Sequence, residues 1–135
     1  MRFQIPKETL RRLRSESRMR DAHDDVTTTH DAFLLDPGMG PGAYLTSDGR
    51  VLIDGRYWDE TELREATDDE AIAAMVVGAK KTGILELLSL LPNAPDHSSL
   101  CDMCCGSRWI PGGRDVLTGE PAHIICYACH GRGWV

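Results

Sequence analysis

All five cysteines of the 135-residue chain lie beyond residue 100, and four of them fall in two matching blocks. The first block is Cys101-Asp-Met-Cys104-Cys105-Gly106-Ser-Arg108-Trp109, and the second is Cys126-Tyr-Ala-Cys129-His130-Gly131-Arg132-Gly133-Trp134. Aligned without a gap, both read C-x-x-C-x-G with a tryptophan three residues after the glycine. A C-x-x-C turn aims two thiolates at one point, and two such turns facing each other complete a tetrahedron around a metal ion. Cys101, Cys104, Cys126 and Cys129 are therefore the candidate ligands of one structural Zn2+ per chain. The glycine after each pair allows a left-handed backbone that would bring N–H groups toward the sulfurs. Zinc with four thiolates carries a formal charge of about −2, which Arg108, Arg114 and Arg132 are near enough in sequence to offset.

Other chemistry fits the same residues. The pairs could form two disulfides, although C-x-x-C disulfides are mostly redox-active and no secretory signal is evident. A single tetrahedral iron would accept the same sulfurs. Cys105 is the odd thiol. C-x-x-x-C spacing would let it replace Cys104, but its alignment with His130 assigns it to the spacer. His123 and His130 are substitute ligands by residue type and ordinary surface residues by context.

The second block, Cys126 to Gly133, is a full C-x-x-C-x-G-x-G repeat, and the first lacks only the final glycine, with Arg108 in its place. The pair resembles the repeats of the cysteine-rich domain of DnaJ-type co-chaperones. Members of that family carry twice as many repeats and a second zinc. The resemblance implies a zinc-bound β-hairpin over about a quarter of the chain, residues 101–134. The His-Pro-Asp tripeptide of the J-domain is absent, so co-chaperone activity is not implied.

Something must hold this module, and the remaining sequence reads as a small α+β body over residues 1–91. Residues 92–99, Pro92-Asn-Ala-Pro95-Asp-His-Ser-Ser, have the composition of a linker, and the zinc module follows at 100–135. A segment of about 35 residues is too short to build a large apolar core, and a metal is the usual substitute. The body opens with a basic helix expected over 7–20, where Pro6 suits the first turn and Leu10 and Leu13 form a narrow apolar stripe. A β-hairpin is expected over 43–54, turning at Asp48-Gly49 as a type I′ turn, with Phe33–Leu35 as a candidate third strand. Pro37 to Gly42 reads as tight turns and lacks the Lys-Ser/Thr ending of a phosphate loop. Trp58 reads as a core plug or an exposed contact, and the scarcity of aromatics favours the core. Thr67 and Glu70 form a capping box, and a helix over 68–81 follows, burying Ile72, Met75, Val76 and Ala79. Gly83 caps it, and a leucine-rich helix over 84–91 should be buried on most sides. Within the module, Pro111–Gly113 and Thr118–Pro121 mark turns, His123–Ile125 a strand, and Trp109 and Trp134 either flank the metal site or leave one exposed for binding.

Charge is uneven. Residues 1–20 carry seven Lys/Arg against two Asp/Glu, and the rest carries eight against nineteen. An acidic body disfavours nucleic acid as the main partner and suits a basic protein, while the basic start keeps a nucleic-acid- or ribosome-associated role open. The cluster Asp21, His23, Asp24, Asp25, His30, Asp31 contains metal-ligand residue types but matches no ligand template and reads as a polar connector. No apolar run reaches 18 residues, so no membrane span is expected, and the absent signal suggests a cytoplasmic protein. Four thiolates close a metal to substrate, and no nucleophile–base pair is evident, so the chain reads as a non-enzymatic protein-interaction or adaptor protein. A thiol redox module is the remaining alternative.

Overall fold

The computed structural model describes residues 1–16, 25–36, 42–54 and 63–135. They fall into two compact units, Met1–Leu91 and Pro92–Val135. Trp58, the Pro37–Pro41 turn, and Asp21, His23 and Asp24 lie outside the described residues. The elements are helices with antiparallel strands, an α+β architecture.

In the first unit, β1 (Ala32–Asp36), β2 (Gly42–Thr46), β3 (Val51–Asp54) and β4 (Leu63–Glu65) form an antiparallel meander in chain order. Alternation sorts their side chains onto two faces. Phe33, Leu35, Ala43, Leu45 and Val51 join one buried core with Ala71, Ala74, Met75 and Ala79. Ala32 and Tyr44 point the other way and bury with Val26, from the short helix α2 (Asp25–Thr29). The third strand expected at Phe33–Leu35 is present as β1. The expected hairpin is also present, with Leu45 opposite Val51, but its turn is not type I′. Gly49 N–H bonds the Thr46 carbonyl at 2.9 Å, and Gly49 alone in the loop has positive φ, at 91°. That is a three-residue loop ending in a left-handed glycine. Thr46 N–H donates to the Arg50 carbonyl at 2.8 Å, Arg50 N–H donates to the Thr46 hydroxyl at 2.9 Å, and the Asp48 carboxylate accepts from the Thr46 hydroxyl and, at 3.1 Å, from the Arg50 guanidinium, tying the loop together. Gly49 is also required sterically: a Cβ there would sit 1.8 Å from the Phe3 carbonyl oxygen.

The helix α3 (Asp68–Thr82) begins with the reciprocal Thr67–Glu70 capping box and ends on left-handed Gly83. Ile72, Met75, Val76 and Ala79 are all buried. The basic helix expected over 7–20 ends before residue 16, and residues 17–20 lie outside the described residues. α1 spans Lys7–Ser15, and Glu16 is already extended. Pro6 serves as its N-cap rather than inside its first turn, with its carbonyl accepting from Leu10 N–H. The narrow stripe suffices because Leu13 is fully buried in the core.

Residues 84–91 are not an α-helix buried on most sides. Leu85–Leu90 form a 3₁₀ helix. Three residues per turn put Ile84, Leu87 and Leu90 on one face, where Ile84 and Leu87 are buried. Leu85 falls off that face and is 66% exposed.

In the second unit, β5 (Trp109–Arg114) and β6 (Pro121–Ile125) form a hairpin between the two cysteine blocks. Pro111–Gly113 is not a turn: it lies within β5, where the register shifts before Arg114. The turn is at Asp115–Glu120, closed by Gly119 N–H to the Asp115 carbonyl at 2.8 Å. Residues 92–99 belong to this unit, and Ser99 exchanges two backbone bonds with Val135, at 2.9 and 2.8 Å. Among the described residues, no helix is long and apolar enough to cross a membrane.

Candidate metal centre

The four repeat cysteines meet. The sulfurs of Cys101, Cys104, Cys126 and Cys129 all lie within 4.8 Å of one another, and all four residues are buried. Cys101 to Cys126 and Cys104 to Cys129 are each 3.7 Å apart. A tetrahedral ion with metal–sulfur bonds of about 2.3 Å has sulfur–sulfur edges of about 3.8 Å. The donor set and spacing therefore fit a metal ion. Among the described residues, this is the one such group of three or more His, Cys, Asp or Glu.

The positions after each cysteine pair explain how the blocks fold. Cys105 and His130 have φ of 52° and 54°, and Gly106 and Gly131 follow at 83° and 82°. Two residues further, Arg108 and Gly133 match again at 75° and 86°. Each block is thus a knuckle with three left-handed residues, and the two knuckles are conformational copies. They also bond reciprocally. Cys101 N–H donates to the Gly133 carbonyl at 3.0 Å, and Cys126 N–H to the Arg108 carbonyl at 2.9 Å. Inside the knuckles, Ser107 N–H donates to Cys104 O and Arg132 N–H to Cys129 O, both at 3.0 Å. Gly133 N–H reaches the Cys129 sulfur at 3.3 Å.

The thiols differ in electrostatics. Backbone N–H groups of Cys104 and Met103 hold the Cys101 thiol below its ordinary value. Burial is the main cause that pushes Cys129 up, and the neighbouring thiols add to it.

The residue buried with the sulfurs is Ile110. Trp109 and Trp134 are half-buried, and the Arg132 guanidinium lies 5.8 Å from the centre of the Trp134 ring. Cys105, His123 and His130 are exposed and outside the sulfur cluster. From the Asp/His cluster, Asp31 pairs with Arg14 at 3.1 Å. Arg12 likewise pairs with Glu86, so two arginines of the basic helix contact acidic groups of the body. Left-handed Arg108 was hidden in the sequence because arginine does not signal positive φ; only its alignment with Gly133 could have revealed it.

No family model, no curated protein and no solved structure matches this chain.

Proposed function

We propose that the chain is a zinc-binding, non-catalytic protein-interaction or adaptor protein. Its second unit is a single-zinc module of the DnaJ-type cysteine-rich kind. The observation that carries the zinc reading is the sulfur geometry: four buried thiols within 4.8 Å, with closest pairs at the edge length of a zinc tetrahedron. Four thiolates fill that tetrahedron, so zinc would organise structure and leave no open position for substrate. All five cysteines are free thiols, which suits a reducing compartment such as the cytoplasm.

Exposed aliphatic side chains support the interaction role. Val116 and Leu117, adjacent in the Asp115–Glu120 turn, are 97% and 92% exposed. The partner reading is a protein, with a basic surface suited to the acidic body. The test is a pull-down from lysate with the zinc-loaded protein, alongside V116S/L117S. Loss of a reproducible partner in the variant supports the role; no partner for either protein counts against it.

A further inference from the structure

Arg108 occupies a place that the other knuckle gives to glycine. Its φ of 75° matches the 86° of Gly133, a region that disfavours any residue with a Cβ. Arginine at that position therefore costs backbone energy, and its contacts offset the cost. Its carbonyl accepts the Cys126 N–H at 2.9 Å, as the Gly133 carbonyl accepts that of Cys101 at 3.0 Å. A glycine could supply that bond equally well. The side chain adds something glycine cannot. The Arg108 guanidinium crosses to the other knuckle and donates to the Gly131 carbonyl at 2.9 Å. Gly131 in turn donates to the Cys126 carbonyl at 3.1 Å. Arg108 thus holds the second knuckle at two points, through its backbone and through its side chain. The corresponding residue on the other side, Gly133, holds the first knuckle through its backbone alone.

We propose that Arg108 is a positioning residue that sets how long the four-sulfur site retains its metal. The inference rests on the zinc reading above. Release of a four-thiolate metal requires one knuckle to swing away so that sulfurs can be protonated or captured. The guanidinium clamp opposes that swing from the first knuckle to the second. The guanidinium also fixes the knuckle that supplies Cys126 and Cys129 from outside the sulfur cluster, and outer contacts of this kind commonly change metal affinity 10-fold to about 100-fold.

Arg108→Gly and Arg108→Ala together separate the two effects of this residue. Arg108→Gly removes the backbone strain and the clamp together, and restores the repeat's own glycine. If Arg108 is only a strained survivor of that glycine, R108G gains thermal stability and releases metal no faster than the parent. If the clamp governs retention, R108G transfers zinc to a chromophoric chelator about tenfold faster, despite its relaxed backbone. Arg108→Ala keeps the strain and loses the clamp, so it should release fastest of all. Metal content of the parent protein is measured first. If the parent holds no metal, the zinc reading fails. Hydrogen exchange at the Cys126 and Gly131 amides then still reads the clamp: faster in R108G supports it, and unchanged exchange overturns it. With metal bound, equal release from R108G and parent overturns it directly.

Discussion

The two units of this chain build their interiors from different material. The first buries Phe33, Leu35, Leu45, Met75, Ile84 and Leu87 with a further set of aliphatic residues between a sheet and α3. The second buries four cysteines and Ile110 as its cluster. Apolar area removed from water can hold the first together at about 25 cal/mol per Å². One isoleucine cannot do so for the second. A dithiol pair contributes little until a metal joins the sulfurs, and then contributes on the scale of about 10 kcal/mol or more. On the zinc reading, one chain combines a domain that solvent folds with a domain that an ion folds.

The sharpest way to break this comparison is to remove the ion or one ligand. Cys126→Ser, or chelation of the parent, should unfold residues 100–135 and leave the first unit's melting transition in place, as read by hydrogen exchange along the chain. A single joint transition would contradict the division. Next in size is Met75→Ala, which empties a fully buried position in α3's packing face. It should destabilise the first unit by about 3 kcal/mol in chemical denaturation while metal content stays unchanged.

A smaller effect comes from acid. The Arg64 guanidinium, donating from its two terminal nitrogens at 2.8 and 2.6 Å, holds the Glu70 carboxyl down at about 2. A carboxyl depressed on folding stabilises above its unfolded value, near 4.5, and that contribution is lost as pH falls toward 2. Its side chain is 38% exposed, so solvent screening limits the effect to about 1 kcal/mol. R64M should flatten the decline in first-unit stability over that pH range, measured by urea titration at stepped pH. Smallest is V116S/L117S, which alters residues already in water and should shift neither unit's stability by more than about 0.5 kcal/mol.

The metal-site geometry was the most legible feature of the sequence, because ligand spacing and the repeat act locally. Thr67, Glu70 and Gly83 were legible for the same reason: caps are read from a few adjacent residues. Features set by distant neighbours were not. Asp48-Gly49 announced a hairpin, but the close approach of Phe3 to Gly49 and the Thr46–Arg50 bonds belong to a three-residue loop. The leucines at 84–91 suggested an α-helix because composition does not show a switch to three residues per turn. Leu63-Arg-Glu joins the sheet as β4 through pairing with β3, although two of its three residues are charged. Pro111–Gly113 carried turn residues into a strand because the irregular register there tolerates them.

Organisation of the second unit by one zinc is tested most directly by native mass spectrometry with thiol counting on protein purified without added metal. One zinc per chain, with Cys105 as the one readily titrated thiol, is the predicted result. A metal-free chain with all five thiols titrating and residues 100–135 still folded would contradict it.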